Sequence, residues 1–229
     1  MRIIFVRHGE PNYALDCLTD EGKRQAEAAS RRLAGEGITE IYASPSGRAR
    51  ETALYTARRL NLPVTILDYM REISWGGEGV PEKGHPWTLS DWLIDREDFD
   101  FSACDWQEHS YFKNNAATEY WKMISERIDA FLLKQGYERV GRRYRCVGGT
   151  DKTIALFSHG GSGACALSHI LWLPFPYVAC VMPYGFTSVS VLNLPVTEGE
   201  YVHPRIELFN DCAHIGRDAE KPRLQKESE

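Results

Sequence analysis

Two apolar runs in this chain end in the same way. Ile3-Ile4-Phe5-Val6 leads into Arg7-His8-Gly9-Glu10, and Thr153 to Phe157 leads into Ser158-His159-Gly160-Gly161. Unbroken runs of β-branched and large apolar residues read as strands buried on both faces. In open α/β sheets, ligands bind beyond the carboxyl ends of the strands. Each run therefore delivers a histidine to the place where sites form. The glycine after each histidine permits close backbone approach, and a helix starting near Gly161 would aim free N–H groups at an anion.

The rest of the chain alternates strand and helix signals. Residues 20–34 predict a helix with Ala26, Ala29 and Leu33 on one face, stopped by Gly35 and Gly37. Ile38 to Ala43 predicts a strand, Ser44-Pro45-Ser46-Gly47 a turn, and Arg48 to Leu60 a helix with Ser46 as its cap. Val64 to Leu67 reads as a short strand, Ala117 to Leu133 as a helix, and Tyr137 to Val147 as a hairpin around Gly141. Such alternation implies an α/β fold with a largely parallel sheet.

From Gly160 to Thr197 the chain carries no Asp, Glu, Lys or Arg. Pro174, Pro176 and Pro183 interrupt that stretch, so it is too broken to span a membrane and reads as a buried helix followed by buried strands. At 229 residues the chain is one domain, residues 1–216, followed by a charged tail, residues 217–229. Its 43% hydrophobic and 26% charged content exclude a disordered or fibrous chain. The net charge of −5 leaves no global basic field for nucleic acid or an anionic membrane. The six cysteines are scattered without a C-x-x-C pair, which argues against structural zinc and for a cytoplasmic protein with reduced thiols.

Residues 73–121 differ in composition. They hold five of the six Trp (Trp75, Trp87, Trp92, Trp106 and Trp121), and ten acids stand there against the bases Lys83, Arg96 and Lys113. This span reads as an inserted cap. Its Trp faces would suit an apolar or cationic leaving group, or else form the cap's own small core.

Two histidines and two arginines, with Arg48 following a strand-turn, suit phosphoryl transfer. Planar guanidinium groups hold the equatorial oxygens, and a neutral imidazole attacks phosphorus. The arginine charges would lower the imidazole pKa and keep it nucleophilic. A carboxylic acid must protonate the leaving alkoxide, and Asp68, Glu72 and Glu78 are the nearby options. No H-x-x-x-H pair with a carboxylate points to a metal site.

Taken together, the motifs resemble those of the histidine phosphatase superfamily, also called phosphoglycerate mutase-like. The matching segments are Arg7-His8-Gly9-Glu10, Leu18-Thr19-Asp20-Glu21-Gly22 with Gln25-Ala26, and Tyr42-Ala43-Ser44-Pro45 with Arg48 and Thr52-Ala53. Then come Arg71-Glu72-Ile73 with Gly76, Ser158-His159-Gly160-Gly161, and Asn210-Asp211-Cys212-Ala213-His214. The resemblance implies a three-layer αβα fold with a mostly parallel mixed central sheet and an inserted cap. It implies His8 as the phosphorylated nucleophile, Arg7, Arg48 and His159 as the phosphoryl clamp, and Glu72 as acid and then base, with no metal and no cofactor. Asn12, although offset from the family's phosphate-touching Asn, and Gly160 are the substrate-binding candidates.

Pro11 directly after Glu10, and the absence of a His-Asp dipeptide, set the chain apart from the phytase-like branch. The expected activity is a histidine acid-type phosphatase, a metal-independent phosphomonoesterase acting on a small phosphorylated metabolite and releasing inorganic phosphate. A phosphoglycerate mutase and a weakly active binding or scaffold member are the alternatives. The acidic cap favours hydrolysis over a bisphosphorylated substrate. Expected partners include neither nucleic acid nor membrane, and a homodimer is the candidate assembly. The sequence leaves open whether His214 touches the site or closes the sheet's edge.

Overall fold

The computed structural model describes residues 1–77, 100, 105–182 and 184–218. The strands are β1 (Arg2–Arg7), β2 (Pro11–Asn12), β3 (Cys17–Leu18), β4 (Glu40–Ala43), β5 (Val64–Ile66), β6 (Tyr137–Val140), β7 (Arg143–Cys146), β8 (Thr153–Ser158), β9 (Val189–Asn193), β10 (Tyr201–Val202) and β11 (Arg205–Asp211). The α-helices are α1 (Asp20–Leu33), α2 (Gly47–Leu60), α3 (Ala116–Lys134), α4 (Gly160–Leu171) and α5 (Phe175–Val181).

Six strands form the central sheet in the order β11-β9-β1-β8-β4-β5. The pairs β1–β8, β8–β4 and β4–β5 are parallel, while β9 runs antiparallel to both β1 and β11. The period-2 geometry of the strands divides the core in two. Ile3, Phe5, Ile154 and Leu156 face one core with Met70, Trp106, Ile124, Ile128 and Phe175. Ile4, Val6, Ala155 and Phe157 face the other with Leu33, Ala53 and Ala57. Helices cover both faces, so the mostly parallel mixed sheet and the three layers expected from the sequence are present. The hairpin of β6 and β7 joins β10 in a separate three-stranded sheet.

Helix α1 starts where its sequence signals place it. The Thr19 hydroxyl accepts from Gly22 N–H at 3.0 Å, with Asp20 and Glu21 in the first turn and Arg31 and Arg32 in the last. Helix α2 departs from expectation. Ser46 stands at its N-cap but makes no side-chain cap bond; the Asp16 carboxylate, from the β2–β3 loop, accepts from Gly47 N–H at 2.6 Å instead. The uncharged stretch also differs in part. Helix α4 is buried as expected, but a second helix, α5, opened by Pro174 and Pro176, stands where a strand was expected before β9. No described helix is long and apolar enough to cross a membrane.

Of the cap span, residues 73–77, 100 and 105–121 are described; Trp87, Trp92 and Glu78 lie outside the described residues, as does the tail beyond residue 218. Trp106 is buried in the main core, and Trp75 and Trp121 pack against it. Trp106 stacks edge-on against Phe112 and Trp121, each at 5.3 Å, and Trp75 lies 6.1 Å from Phe175. The indole N–H groups donate to Tyr111 Oη from Trp75 and to Ser168 Oγ from Trp121. Trp106 is therefore a core ring, while Trp75 and Trp121 pack against that core and remain partly exposed.

Phe5 sits at the middle of β1 with no solvent exposure, between β8 and β9. Phe5→Ala should cost about 3–5 kcal/mol of stability. A urea titration should show a lower midpoint with an unchanged slope.

Candidate active site

The parallel register of β1 and β8 pairs Arg7 with Ser158. The next residue on each strand is a histidine, so the two imidazoles leave the sheet side by side. His8 N–H donates to Ser158 C=O at 3.0 Å, and the ring centroids of His8 and His159 are 5.1 Å apart at 62°. The turn after His8 is fixed from two sides. Gly9 N–H donates to Thr52 Oγ at 3.1 Å, and Thr52 Oγ donates to Arg48 C=O at 2.8 Å, tying the turn to α2. A Cβ on Gly9 would stand 2.6 Å from the carbonyl oxygen of Gly22, so only glycine allows this approach of the turn to α1.

His8 is 1% exposed. Its Nδ1 lies 2.7 Å from Gly9 C=O, which can only accept, so Nδ1 carries the proton and Nε2 keeps the lone pair. Arg48 Nε approaches Nε2 at 3.4 Å. Burial first, then the neighbouring Arg7, His159 and Arg48, push the His8 pKa well below the ordinary imidazole value, overriding the opposing bond to Gly9. His8 is therefore neutral, and its Nε2 lone pair accepts from the Arg48 guanidinium.

Each arginine is held from outside the cluster. Arg7 donates to Tyr184 C=O at 2.5 Å and lies over the Phe186 ring at 4.4 Å. Arg48 donates to Asp16, whose other carboxylate oxygen caps α2, and lies 5.5 Å from the Tyr13 ring centroid. His159 is fully buried. Its Nε2 lies 2.7 Å from Ser44 Oγ, and Nδ1 has no partner among the described residues. Burial, with Arg48 and Arg7 adding to it, pushes the His159 pKa down to about 3.

Glu72 follows the 3-10 turn Asp68–Met70 and reaches the first turn of α4. Its Oε1 accepts from Ile73 N–H at 3.0 Å, Gly161 N–H at 3.0 Å and Ser162 N–H at 3.1 Å. A Cβ on Gly161 would stand 2.7 Å from that oxygen, so the glycine is required for the carboxyl to dock. Burial pushes the Glu72 pKa up, against the pull of these N–H groups and of Arg7 and Arg48. Burial wins, so the carboxyl holds its proton to higher pH than a free glutamate does.

The structure thus brings together Arg7, His8, Arg48, Glu72 and His159. Of the acid options, Asp68 is exposed in its turn, while Glu72 is felt by the same two arginines as His8. The expectation that the α4 amides are free for an anion needs correction. Those of Gly161 and Ser162 hold Glu72, and the amide of Gly160, the first residue of the helix, remains. Asn12 Oδ1 accepts from Leu15 N–H at 3.2 Å and so organises its own loop. His214 Nε2 lies 3.1 Å from Thr187 Oγ, and Thr187 N–H donates to His8 C=O at 3.3 Å. His214 therefore stands one residue behind the site. Asp16, Ser44 and Phe186 are the neighbours that sequence reasoning missed. Asp16 carries no local signal, because Ser46 stands at the N-cap position that the Asp16 carboxylate serves from the β2–β3 loop.

Two imidazoles, two guanidinium groups and a carboxyl at the carboxyl ends of a mostly parallel sheet define an enzyme acting on phosphate esters. The chain belongs to the histidine phosphatase superfamily, branch 1, whose family model matches residues 3–207. It is 27% identical over 235 aligned positions to the probable phosphoglycerate mutase GpmB of an Enterobacter species, covering 96% of this chain and 97% of that one. It is 28% identical over 171 positions to phosphoserine phosphatase 1 of Hydrogenobacter thermophilus, covering 69% and 71% of the two chains. Among solved structures, the phosphoserine phosphatase of Entamoeba histolytica in complex with 3-phosphoglyceric acid superposes with a TM-score of 0.63 at 22% identity, covering 93% of this chain and 98% of that one. That likeness is one of fold.

Because His159 stays neutral when folded down to about pH 3, the unfolded chain binds a proton there that the native chain does not. The stability from this group is complete above the ordinary imidazole pKa and is lost as pH falls below it. In His159→Gln the slope of unfolding free energy against pH, measured by denaturant titration from pH 6 to pH 4, should be smaller than in the wild type by about 1.4 kcal/mol per pH unit.

Proposed function

We propose that the protein is a metal-independent phosphomonoesterase, hydrolysing a small phosphorylated metabolite through a phosphohistidine on His8. The observation that carries this reading is the state of His8: buried, neutral, with Nδ1 committed to Gly9 C=O and the Nε2 lone pair facing Arg48. A neutral imidazole with one free lone pair is a nucleophile, and phosphorus between two guanidinium groups is its electrophile. Arg7, Arg48, His159 and the amide of Gly160 hold the phosphoryl oxygens. The arginines supply the positive charge that a metal supplies in other phosphatases.

In the first step His8 Nε2 bonds to phosphorus and the P–O ester bond breaks. Glu72 Oε1 is engaged by three N–H groups, so the proton resides on Oε2 and passes to the departing alkoxide. In the second step a water attacks the phosphohistidine, gives its proton to the Glu72 carboxylate, and inorganic phosphate leaves. The raised Glu72 pKa suits the acid role. Asn12, with its carbonyl engaged by Leu15, has its amide nitrogen left for a substrate.

The relatives' names divide between phosphatases and mutases. The composition of residues 73–121, ten acids against three bases, favours hydrolysis, since a bisphosphorylated acid would meet net repulsion there. An assay with 3-phosphoglycerate and 2,3-bisphosphoglycerate should therefore release inorganic phosphate faster than it forms 2-phosphoglycerate; the reverse ratio would favour the mutase reading.

With p-nitrophenyl phosphate and EDTA present, the wild type should turn over, and His8→Ala should lose about 10³–10⁶-fold in kcat. Retained turnover in that variant would displace His8 as nucleophile. Glu72→Gln should slow alkyl phosphates by about 10²–10⁴-fold and nitrophenyl phosphate far less. For alkyl phosphates, kcat should fall as pH rises through the elevated Glu72 pKa, and that limb should vanish in Glu72→Gln; equal losses on both substrates would point to another acid.

A further inference from the structure

Ser44 directly follows β4, is fully buried, and lies 2.7 Å from His159 Nε2. Its hydrogen-bonding capacity can be counted. Ser44 Oγ accepts from Ser46 N–H at 3.2 Å, and Ser44 N–H donates to Phe157 C=O at 2.9 Å. The hydroxyl proton has one acceptor nearby among the described residues, the Nε2 lone pair of His159. If His159 Nε2 carried the proton instead, Ser44 Oγ would receive two donors while its own O–H stayed buried without an acceptor, which native interiors avoid.

We infer that Ser44 is a positioning residue that fixes His159 as the neutral tautomer with its proton on Nδ1, making that N–H a hydrogen-bond donor to a phosphoryl oxygen. This rests on the phosphatase reading for the identity of the acceptor. His159 Nδ1 is buried and has no partner among the described residues, as a donor reserved for a ligand would be. The ring sits 5.1 Å from His8 and is felt by Arg48 and Arg7. The opposite tautomer would aim a lone pair at an anion.

The two histidines then form a matched set. Both carry the proton on Nδ1, but they use it differently. His8 spends its N–H on Gly9 C=O and offers the lone pair; His159 spends its lone pair on the Ser44 hydroxyl and offers the N–H. One ring is a nucleophile and the other an electrophile, without either being charged. Contacts to one carbonyl and one hydroxyl set the difference.

The test is ¹⁵N NMR of the histidine rings in the resting wild-type protein near neutral pH, with the His159 signals identified by their loss in His159→Gln. A pyrrole-type shift at Nδ1 and a pyridine-type shift at Nε2 are expected. A pyridine-type Nδ1, or two pyrrole-type nitrogens as in imidazolium, overturns the proposal. In Ser44→Ala the two tautomers should mix, and kcat should drop about tenfold to a hundredfold with KM little changed, short of the 10²–10³-fold loss expected on removing a preorganised donor outright. Ser44→Thr, which keeps the hydroxyl, should restore most of that loss. An unchanged kcat in Ser44→Ala, or no restoration by a folded Ser44→Thr, also overturns it. The ring shifts are read without substrate, so they decide the tautomer even if the wild type proves inactive on every phosphomonoester, which would instead defeat the functional reading.

Discussion

Two guanidinium groups converge on two buried imidazoles, and the nearby Glu72 carboxyl is pushed toward its protonated form. Such crowding is tolerable only because both imidazoles give up their charge. Burial and the arginines drive both histidine pKa values down, and the same burial drives the Glu72 carboxyl up. The cluster thus carries the two arginine charges, one of them balanced by Asp16 at the rim. The fold around it shifts three titrations at once, both imidazoles toward the neutral form and the carboxyl toward its acid form.

Backbone does much of that holding. Gly9 C=O sets the tautomer of His8, Tyr184 C=O anchors Arg7, and the first turn of α4 receives Glu72. The N-terminal end of α4 would stabilise a carboxylate, yet the carboxyl is buried enough for its proton affinity to rise. Those opposed effects leave an acid that can give up a proton and take it back. Asp16 works comparably at α2, where one carboxylate closes the helix end and steers Arg48 at once.

The strands and the two histidines were legible because burial on both faces writes continuous apolar runs, and because sheet geometry sends the residue after each run to the site. The α/β class was legible in the alternation of strand and helix signals, and the three layers were implied by the family resemblance; the structure shows how Ile3 and Phe5 on one face and Ile4 and Val6 on the other fill the two cores. Other features were not legible. Ser44 and Asp16 meet their partners across 115 and 32 positions of sequence, and nothing local marks either contact. Taken as bare residues Asp68, Glu72 and Glu78 look equivalent; only the family resemblance singled out Glu72, and in the structure the amides of α4 set it apart from Asp68. Helix α5 replaced an expected strand because an uncharged run encodes burial without encoding period. The Trp-rich composition suggested either a ligand surface or a small core; Trp106 is buried in the main core with Trp75 and Trp121 packed against it, a demand for large rings that a composition count cannot separate from binding.

The pairing of β1 with β8 and β9 also governs how the molecule comes into being. Arg2 is matched to Thr153 and to Asn193, so β1 leaves the ribosome well before either neighbour and must wait for strands that lie far along the sequence. At about 5–20 residues per second, β1 waits roughly 7–30 s for β8 alone. During that interval its four apolar residues are an unpaired edge, and neither histidine has a site to occupy. Catalytic competence therefore arrives late and all at once, on completion of the sheet's centre, and a chain cut short before β8 would carry an exposed sticky strand and no trace of the pocket.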